Sequence, residues 1–248
     1  MSDGFELLAA FWPQAPSPSE RYVLLDVFAR APLQGNQLAV FPDGRGLSAP
    51  AMQALAAGEV TLETGAGPVA VTVTQVGTER FAGSMSQPVP VPEPFPAAAE
   101  LLAALGVERS VLPVEAYANG PRHVYVTLPG EPDVAALAPD RRALLDCAGQ
   151  AGVSCFAGSG SRYKTRMFAP GLGVDEDPAT GSAAGPLAVH LLRHGRIGFG
   201  QEIEIAQGEE LGRPSLLRAR VEGASGGIEA VHVAGDALLV GRGELHRG

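Results

Sequence analysis

Short apolar runs separated by glycine and proline dominate this sequence and limit the folds it can form. The chain of 248 residues contains 32 glycines and 21 prolines, just over a fifth of the total. Val69, Val71 and Val73 alternate with small or polar residues, which is typical of a half-buried strand. The ranges 97–105 and 185–194 have helical spacing, and a glycine follows each. Many short strands with a few helices predict an α+β fold.

Charge and composition exclude several classes of partner. The 18 basic and 27 acidic residues give a net charge of -9, so we predict no nucleic-acid partner and no membrane partner. Apolar stretches stay shorter than the roughly 20 residues that span a bilayer, and residues 1–20 lack the features of a secretory signal. Cys147 and Cys155 have neither disulfide-framework nor metal-ligand spacing, which predicts a cytoplasmic protein without a bound metal.

The most informative stretch is Asp177-Pro-Ala-Thr-Gly-Ser, which leads into an apolar helix. Gly181 and Ser182 lie where that helix begins, so their N–H groups have no intrahelical partner. These donors and the positive end of the helix dipole form a site for a carboxylate. Asp177 lies just before the site and can orient or protonate a bound molecule. The alternative interpretation is an ordinary helix start, with an acidic N-cap and Ser182 as a simple cap.

Several further motifs resemble one family. Together with Asp177-Pro-Ala-Thr-Gly-Ser-Ala, the chain is similar to the phenazine-biosynthesis isomerases (PhzF-like proteins), which are relatives of diaminopimelate epimerase. The similarity covers residues 21–246, and the motifs follow the family order. The other matching motifs are Asp26-Val-Phe, Gly35-Asn-Gln-Leu-Ala-Val, Asn119-Gly-Pro-Arg-His-Val-Tyr-Val, Arg166-Met-Phe-Ala-Pro and Gln207-Gly-Glu-Glu-Leu-Gly-Arg-Pro-Ser.

The resemblance implies a two-lobed α+β fold of the diaminopimelate epimerase type. Each lobe is a β-barrel-like sheet around a central helix, and the substrate lies in the cleft that both helix N-termini face. Asp177, Gly181 and Ser182 match site positions of the family. The implied reaction is a cofactor-independent isomerisation of a small carboxylate of the dihydro-hydroxyanthranilate type, and a homodimer is implied as well. Epimerase relatives use two cysteines, one before each central helix; Ser182 stands at one of these positions, so two-thiol racemisation is not expected.

The resemblance and the composition together divide the chain. Residues 1–20 are a poorly ordered leader, and residues 21–87 form the first lobe, to which a C-terminal strand at 231–246 returns. Residues 97–230 form the second lobe. Five prolines between 88 and 96 predict a linker, because proline cannot continue the interior of a sheet or helix.

The first lobe departs from the family pattern. The family places a Glu-Thr motif, a strand and a Gly-His motif after the helix that begins near Met52. In this chain residue 57 runs almost directly into a strand that resembles a later segment, and no Gly-His pair occurs before Pro88. Several dozen residues are therefore expected to be missing, including the first central helix and a histidine of the site.

The catalytic glutamate has two interpretations. Glu63 stands at the spacing of the family Glu-Thr motif, which makes it a candidate acid/base residue. The following Gly65-Ala-Gly-Pro-Val-Ala-Val instead places Glu63 on the later strand, with an accidental match. His123 is a substitute candidate base, although its neighbours favour a strand residue. His190 and His194 have the i, i+4 spacing of a metal pair, but no third ligand is evident, which favours a role on the helix face.

Two functions from different classes follow. In the first, the chain is an isomerase in which the Gly181 and Ser182 amides bind a carboxylate, Asp177 positions the substrate, and Glu63 moves a proton at carbon. In the second, the chain is an inactive family member that binds a small ligand or assembles into an oligomer, because loss of a central helix exposes apolar surface.

Overall fold

The computed structural model describes residues 19–40, 59–64 and 67–246. The helix expected near Met52 lies outside these residues. The described chain forms fourteen strands and four α-helices. The strands are β1 Ser19–Val27, β2 Asn36–Val40, β3 Glu59–Thr64, β4 Gly67–Gly77, β5 Arg80–Gln87, β6 Val91–Pro94, β7 Glu115–Ala118, β8 Arg122–Thr127, β9 Gly152–Ser159, β10 Arg162–Ala169, β11 Val174–Asp177, β12 Glu202–Gln207, β13 Ser215–Ala224 and β14 Gly227–His246. The helices are α1 Ala98–Leu105, α2 Glu131–Ala135, α3 Arg141–Ala148 and α4 Gly181–Arg193.

All the strands belong to one sheet, whose main path is β3-β4-β5-β14-β13-β12-β10-β9-β8-β7-β6. The long strand β14 joins the two halves. Its beginning pairs with β13, its middle with β5, and its end with β1, which also pairs with β2. Parallel pairing of β8 with β9 and of β10 with β12 requires long crossovers, which contain α2 and α3 in the first case and α4 in the second.

Helix α4 is the centre of the second half. Its residues from Ala183 to Leu191 are all buried, as expected for a helix that is apolar on every side. The surrounding core consists of inward-facing side chains from β7 to β10 and β12 to β14, namely Tyr117, Tyr125, Phe156, Tyr163, Ile203, Ile205, Leu217, Ala219, Val221, Val231 and Val233. A sheet wrapped around one buried helix is the architecture that the sequence predicts for the second lobe.

A second layer of helices covers the other face of this half of the sheet. Helix α1 ends at Gly106, whose φ of 69° is the left-handed conformation of a glycine C-cap. Helix α3 begins after Asp140, whose carboxylate accepts a hydrogen bond from the Ala143 amide at 3.0 Å. Leu101, Leu105 and Leu144 pack with buried residues of β8 and β9, which fixes the sheet between two apolar layers.

Among the described residues, the other half of the sheet has a smaller buried cluster. Between residues 19 and 87, the described chain contains β1 to β5 and no helix. The buried cluster there consists of Val23, Val40, Phe81 and Leu239. This is consistent with an incomplete first lobe.

The proline-rich segment 88–96 lies at the edge of the sheet. Its residues Val91–Pro94 form β6, which pairs antiparallel with β7. Because β6 is the last strand of the sheet, its prolines do not interrupt a sheet interior. The role of 88–96 as a linker between lobes stays a prediction. In the described residues, no helix is both long enough and apolar enough to cross a membrane.

Candidate active site

Strand β11 places Asp177 next to the N-terminus of α4. Thr180 Oγ1 donates a hydrogen bond to Asp177 Oδ2 at 2.6 Å, and Asn36 Nδ2 donates to Oδ1 at 3.1 Å. Thr180 occupies the N-cap position of α4, without a side-chain capping bond. Asp177 is thus held by side chains from two parts of the chain and does not cap the helix.

The surroundings of Asp177 shift the pKa of its carboxyl group. Burial raises the pKa of Asp177 above its ordinary value, although hydrogen bonds from the Thr180 hydroxyl and the Ala179 amide act in the opposite direction. A carboxyl group whose pKa is raised is better matched to proton transfer near neutral pH. Gln207 stabilises the segment from Asp177 to Thr180, since its Nε2 donates to the Asp177 carbonyl at 2.7 Å and to Thr180 Oγ1 at 3.0 Å.

Ser182 lies in the first turn of α4 and faces a buried histidine. His123 Nε2 on β8 is 3.0 Å from Ser182 Oγ. Burial lowers the pKa of His123 to about 4, so its imidazole is neutral at neutral pH. A serine hydroxyl can donate or accept, so it can bond to either tautomer. His123 is therefore a strand residue that also positions Ser182.

A proline inside α4 explains why an amide side chain lies beside Ser182. Pro186 has no N–H group, so the carbonyl of Ser182 loses its normal intrahelical partner four residues on. Asn119 Nδ2 takes that place and donates to the Ser182 carbonyl at 3.1 Å. Gln87 Nε2 similarly donates to the Gly181 carbonyl at 2.9 Å. These bonds fix the first turn of α4 against β5 and the loop after β7.

The segment before β2, in the other half of the sheet, packs against the N-terminus of α4. Phe28 has a φ of 60°, an uncommon conformation for a bulky residue. Its ring lies 2.9 Å from the point where a Cβ on Gly181 would stand, and 2.3 Å from the same point on Gly235. The close approach of this ring requires glycine at both positions.

A buried ion pair joins the same loop to the turn before β13. Asp26 is fully buried, and its Oδ1 lies 3.0 Å from Arg213 Nη2. The other oxygen accepts a hydrogen bond from the Leu33 amide at 2.7 Å. Arg213 also donates to the carbonyls of Gly35, at 2.8 Å, and Gln34, at 3.0 Å. This pair positions the loop from which Asn36 reaches Asp177.

The structure brings three of the four predicted site residues together. Asp177, Gly181 and Ser182 lie at the N-terminus of α4. Glu63 lies on β3, which is the first strand of the sheet path, and its Cα partner is Pro68 of β4. The structure describes the backbone of Glu63 but not its side chain, so its catalytic role stays a prediction.

The sequence alone assigned no role to three polar residues that bond to the segment at the N-terminus of α4. Asn36, Gln87 and Asn119 all bond to the segment that holds Asp177, Gly181 and Ser182. Asn36 and Asn119 do lie in motifs that carry the family resemblance, and that was the signal available for them. Gln87 stands directly before the proline-rich segment and has no comparable signal.

The cysteines lie in a different layer. Both are free thiols, and both belong to or pack against the core between α1, α3 and the sheet. Burial raises the pKa of Cys147 and Cys155 above the ordinary value of a thiol. They are inert core residues rather than acid/base groups.

Comparison with known proteins identifies the group to which this molecule is similar. A family model described as phenazine biosynthesis-like protein (PhzC-PhzF) matches residues 56–243. The chain is 42% identical to the trans-2,3-dihydro-3-hydroxyanthranilate isomerase of Pseudomonas chlororaphis, with 90% of this chain and 98% of that protein covered.

Two solved structures resemble the fold. A PhzF-family phenazine biosynthesis protein of Bacillus anthracis matches with a TM-score of 0.77, 17% identity, and coverage of 93% of this chain and 100% of that one. A protein of Pseudomonas aeruginosa described as a predicted epimerase matches with a TM-score of 0.74, 26% identity and the same coverage.

The alignment with the P. chlororaphis isomerase also shows how many residues this chain lacks relative to that protein. It extends over 274 positions, whereas 90% of 248 residues is about 223, so about 50 positions have no residue of this chain. The expectation that several dozen residues are missing is confirmed.

Proposed function

Since this chain belongs to the phenazine biosynthesis-like family, we propose that it is an isomerase that moves a proton at carbon in a dihydro-hydroxyanthranilate-like carboxylate. The observation that carries the proposal is the 42% identity, over 90% of the chain, to a trans-2,3-dihydro-3-hydroxyanthranilate isomerase. The alternative of an inactive binding protein has no comparable support.

The substrate carboxylate binds at the N-terminus of α4. The N–H groups of Gly181 and Ser182 and the positive end of the helix dipole attract the substrate carboxylate. His123 holds the Ser182 hydroxyl beside this site at 3.0 Å without adding a positive charge. Asp177, next to the bound carboxylate, positions the hydroxyl or amino group of the substrate.

The chemical step is a proton transfer between two carbon atoms. A base removes a proton from one carbon, the double bond shifts, and a proton is delivered to another carbon, so no oxidant or reductant is needed. We assign this transfer to the Glu63 carboxylate and the Asp177 carboxyl group. The raised pKa of Asp177 supports its share of the transfer.

The test is turnover of trans-2,3-dihydro-3-hydroxyanthranilate in D₂O by the full chain, with deuterium incorporation followed by NMR. We expect isomerised product that carries one solvent deuteron. Glu63→Gln is expected to abolish turnover while binding of 3-hydroxyanthranilate, measured by calorimetry, is retained. Glu59→Gln, on the same strand, is the matched control and should keep full turnover.

Each other outcome has a defined meaning. Turnover retained in Glu63→Gln removes that residue from the mechanism but leaves the isomerase proposal standing, and Asp177→Asn then tests the remaining carboxyl group. Ligand binding by the unmodified chain without turnover overturns the proposal and supports the inactive family member.

Self-association and location belong to the same proposal. We propose a homodimer in the cytoplasm. Exposed apolar side chains in the first half, including Leu33, Leu38 and Val76, support the dimer, and the two free thiols support a reducing compartment. Light scattering after size-exclusion chromatography checks the mass; a monomer at all concentrations contradicts the dimer.

A further inference from the structure

The C-terminal end of α4 carries a second cluster of polar side chains. His190 in the last turn of this helix and His194 at its C-cap lie one turn apart, and Glu115 of β7 faces both of them. One ligand atom from each residue lies within 4.8 Å of the other two. The sequence supplied the histidine pair without a third ligand, and the fold brings Glu115 to it from 75 residues away along the chain.

The distances within this cluster suit a small metal ion. Glu115 Oε2 is 3.0 Å from His194 Nε2 and 3.3 Å from His190 Nδ1. Tetrahedral Zn²⁺ with bonds of about 2.0–2.1 Å places its ligand atoms roughly 3.3 Å apart. The two distances from the carboxylate oxygen to the nitrogens therefore already match edges of such a tetrahedron, and the two nitrogens lie within 4.8 Å of each other.

The surroundings hold Glu115 in a fixed orientation. Arg193 Nη2 lies 3.6 Å from Glu115 Oε1, while the Tyr117 hydroxyl donates to Oε2 at 2.8 Å. Burial alone raises the pKa of Glu115, but hydrogen bonds from His194 and Tyr117 and the charge of Arg193 lower it below the ordinary value. Contacts of this kind orient metal ligands in known sites.

Charge and access are also compatible with a cation. The negative end of the helix dipole lies at the C-terminus of α4, which favours positive charge there. His190 is fully buried, whereas the side chains of Glu115 and His194 are each about 20% exposed, so the cluster opens to solvent on one side. That opening leaves room for a water molecule as a fourth ligand.

We propose that Glu115, His190 and His194 form a binding site for a divalent transition-metal ion of the Zn²⁺ class. Two imidazoles and one carboxylate are ligands that Zn²⁺ accepts, and a structural or regulatory ion bound here would tie α4 to β7.

The site is separate from the proposed active site. Helix α4 has 13 residues, which corresponds to a length of roughly 20 Å, and Ser182 lies at its opposite end. Metal binding can thus be measured without reference to isomerase activity, and failure of one proposal does not imply failure of the other.

The experiment uses the full chain after chelator treatment, with ZnCl₂ followed by calorimetry and CoCl₂ followed by visible absorption. We expect one bound ion per chain, a tetrahedral Co²⁺ spectrum and a higher melting midpoint with Zn²⁺, because the unfolded chain does not gather the three ligands. His194→Gln and Glu115→Gln should each weaken Zn²⁺ binding at least about tenfold, because even the loss of an outer-shell partner typically costs about 10- to 100-fold in metal affinity.

His232→Gln is the matched control. His232 lies on another strand, where its Nε2 is 3.5 Å from Glu222 and its Nδ1 is 3.2 Å from Ser86 Oγ, so its loss should leave Zn²⁺ binding unchanged. The partly exposed His194 is chosen over the buried His190 so that the variant keeps its fold, which circular dichroism checks. Absence of a bound ion in the unmodified chain, or equal binding in all variants, overturns the proposal.

Discussion

The two halves of the sheet differ in what fills them. Around α4, aromatic and branched side chains from seven strands enclose a helix that is buried from Ala183 to Leu191. In the other half, the described strands enclose the small cluster of Val23, Val40, Phe81 and Leu239. A curved sheet needs an apolar partner, so the half without a described helix is expected to depend more on contacts with its neighbours.

Those contacts concentrate at the boundary between the halves. The boundary is formed by β14, by the Asp26–Arg213 pair and by the loop that carries Phe28 and Asn36. The same loop supplies a hydrogen bond to Asp177. The candidate site therefore depends on this boundary between the halves, here called the joint, as well as on α4.

The largest effect is expected at that joint. Arg213→Met leaves Asp26 buried without its ionic partner, which typically costs about 3–5 kcal/mol. Urea unfolding measures the loss. Arg142→Met is the control, because its pair with Asp146 is exposed on both sides and such pairs contribute less than about 1 kcal/mol. Equal effects of the two variants would show that the Asp26 pair does not stabilise the joint.

A truncation in each core compares the halves directly. Leu187→Ala in α4 should cost about 2–5 kcal/mol and fall near the top of that range, since the surrounding core is closed on all sides. Leu239→Ala in the smaller cluster should fall near the bottom, because fewer neighbours lose contact. Chemical denaturation of both variants checks the order. A reversed order would mean that the first half is the better packed one.

The hydrogen bond from Asn119 to the Ser182 carbonyl should contribute less to the free energy of unfolding, and a second substitution should reduce that contribution. Asn119→Ala leaves the Ser182 carbonyl without its donor, which should cost about 1–3 kcal/mol. Pro186→Ala restores a backbone N–H four residues after Ser182, so the same Asn119→Ala change should cost less in that background. A double-mutant cycle from thermal melts measures this coupling. Purely additive effects would contradict the role assigned to Asn119.

Part of this architecture could be predicted from the sequence. The apolar run after Ser182 and its closing Gly195 predicted the helix that the structure shows, because that pattern is short-range. The carboxylate site at its N-terminus stays a prediction. Asn36 could not be assigned this way, because its bond to Asp177 joins residues 141 apart in the chain. The same limit concealed Glu115 as a partner of His190 and His194.

Prolines show how far local rules reach. Those in 88–96 excluded a sheet interior, and Val91–Pro94 forms the edge strand β6, in which one row of N–H positions stays unpaired. Pro186 shows the opposite case, in which a proline inside α4 is tolerated because Asn119 bonds to the carbonyl that it frees. Which outcome applies depends on neighbours that only the folded chain brings together.

The smallest effect, counted per pH unit, is expected from His123 in the helix-filled half. Burial lowers the pKa of His123 from 6.5 to about 4. The unfolded chain therefore binds more protons between these values, and stability falls as the pH drops from about 6.5 to 4. One such group contributes at most about 1.4 kcal/mol per pH unit in this window. His123→Gln should reduce this slope in melts between pH 4 and 7. An unaltered slope in His123→Gln would show that His123 does not stay neutral in the folded chain.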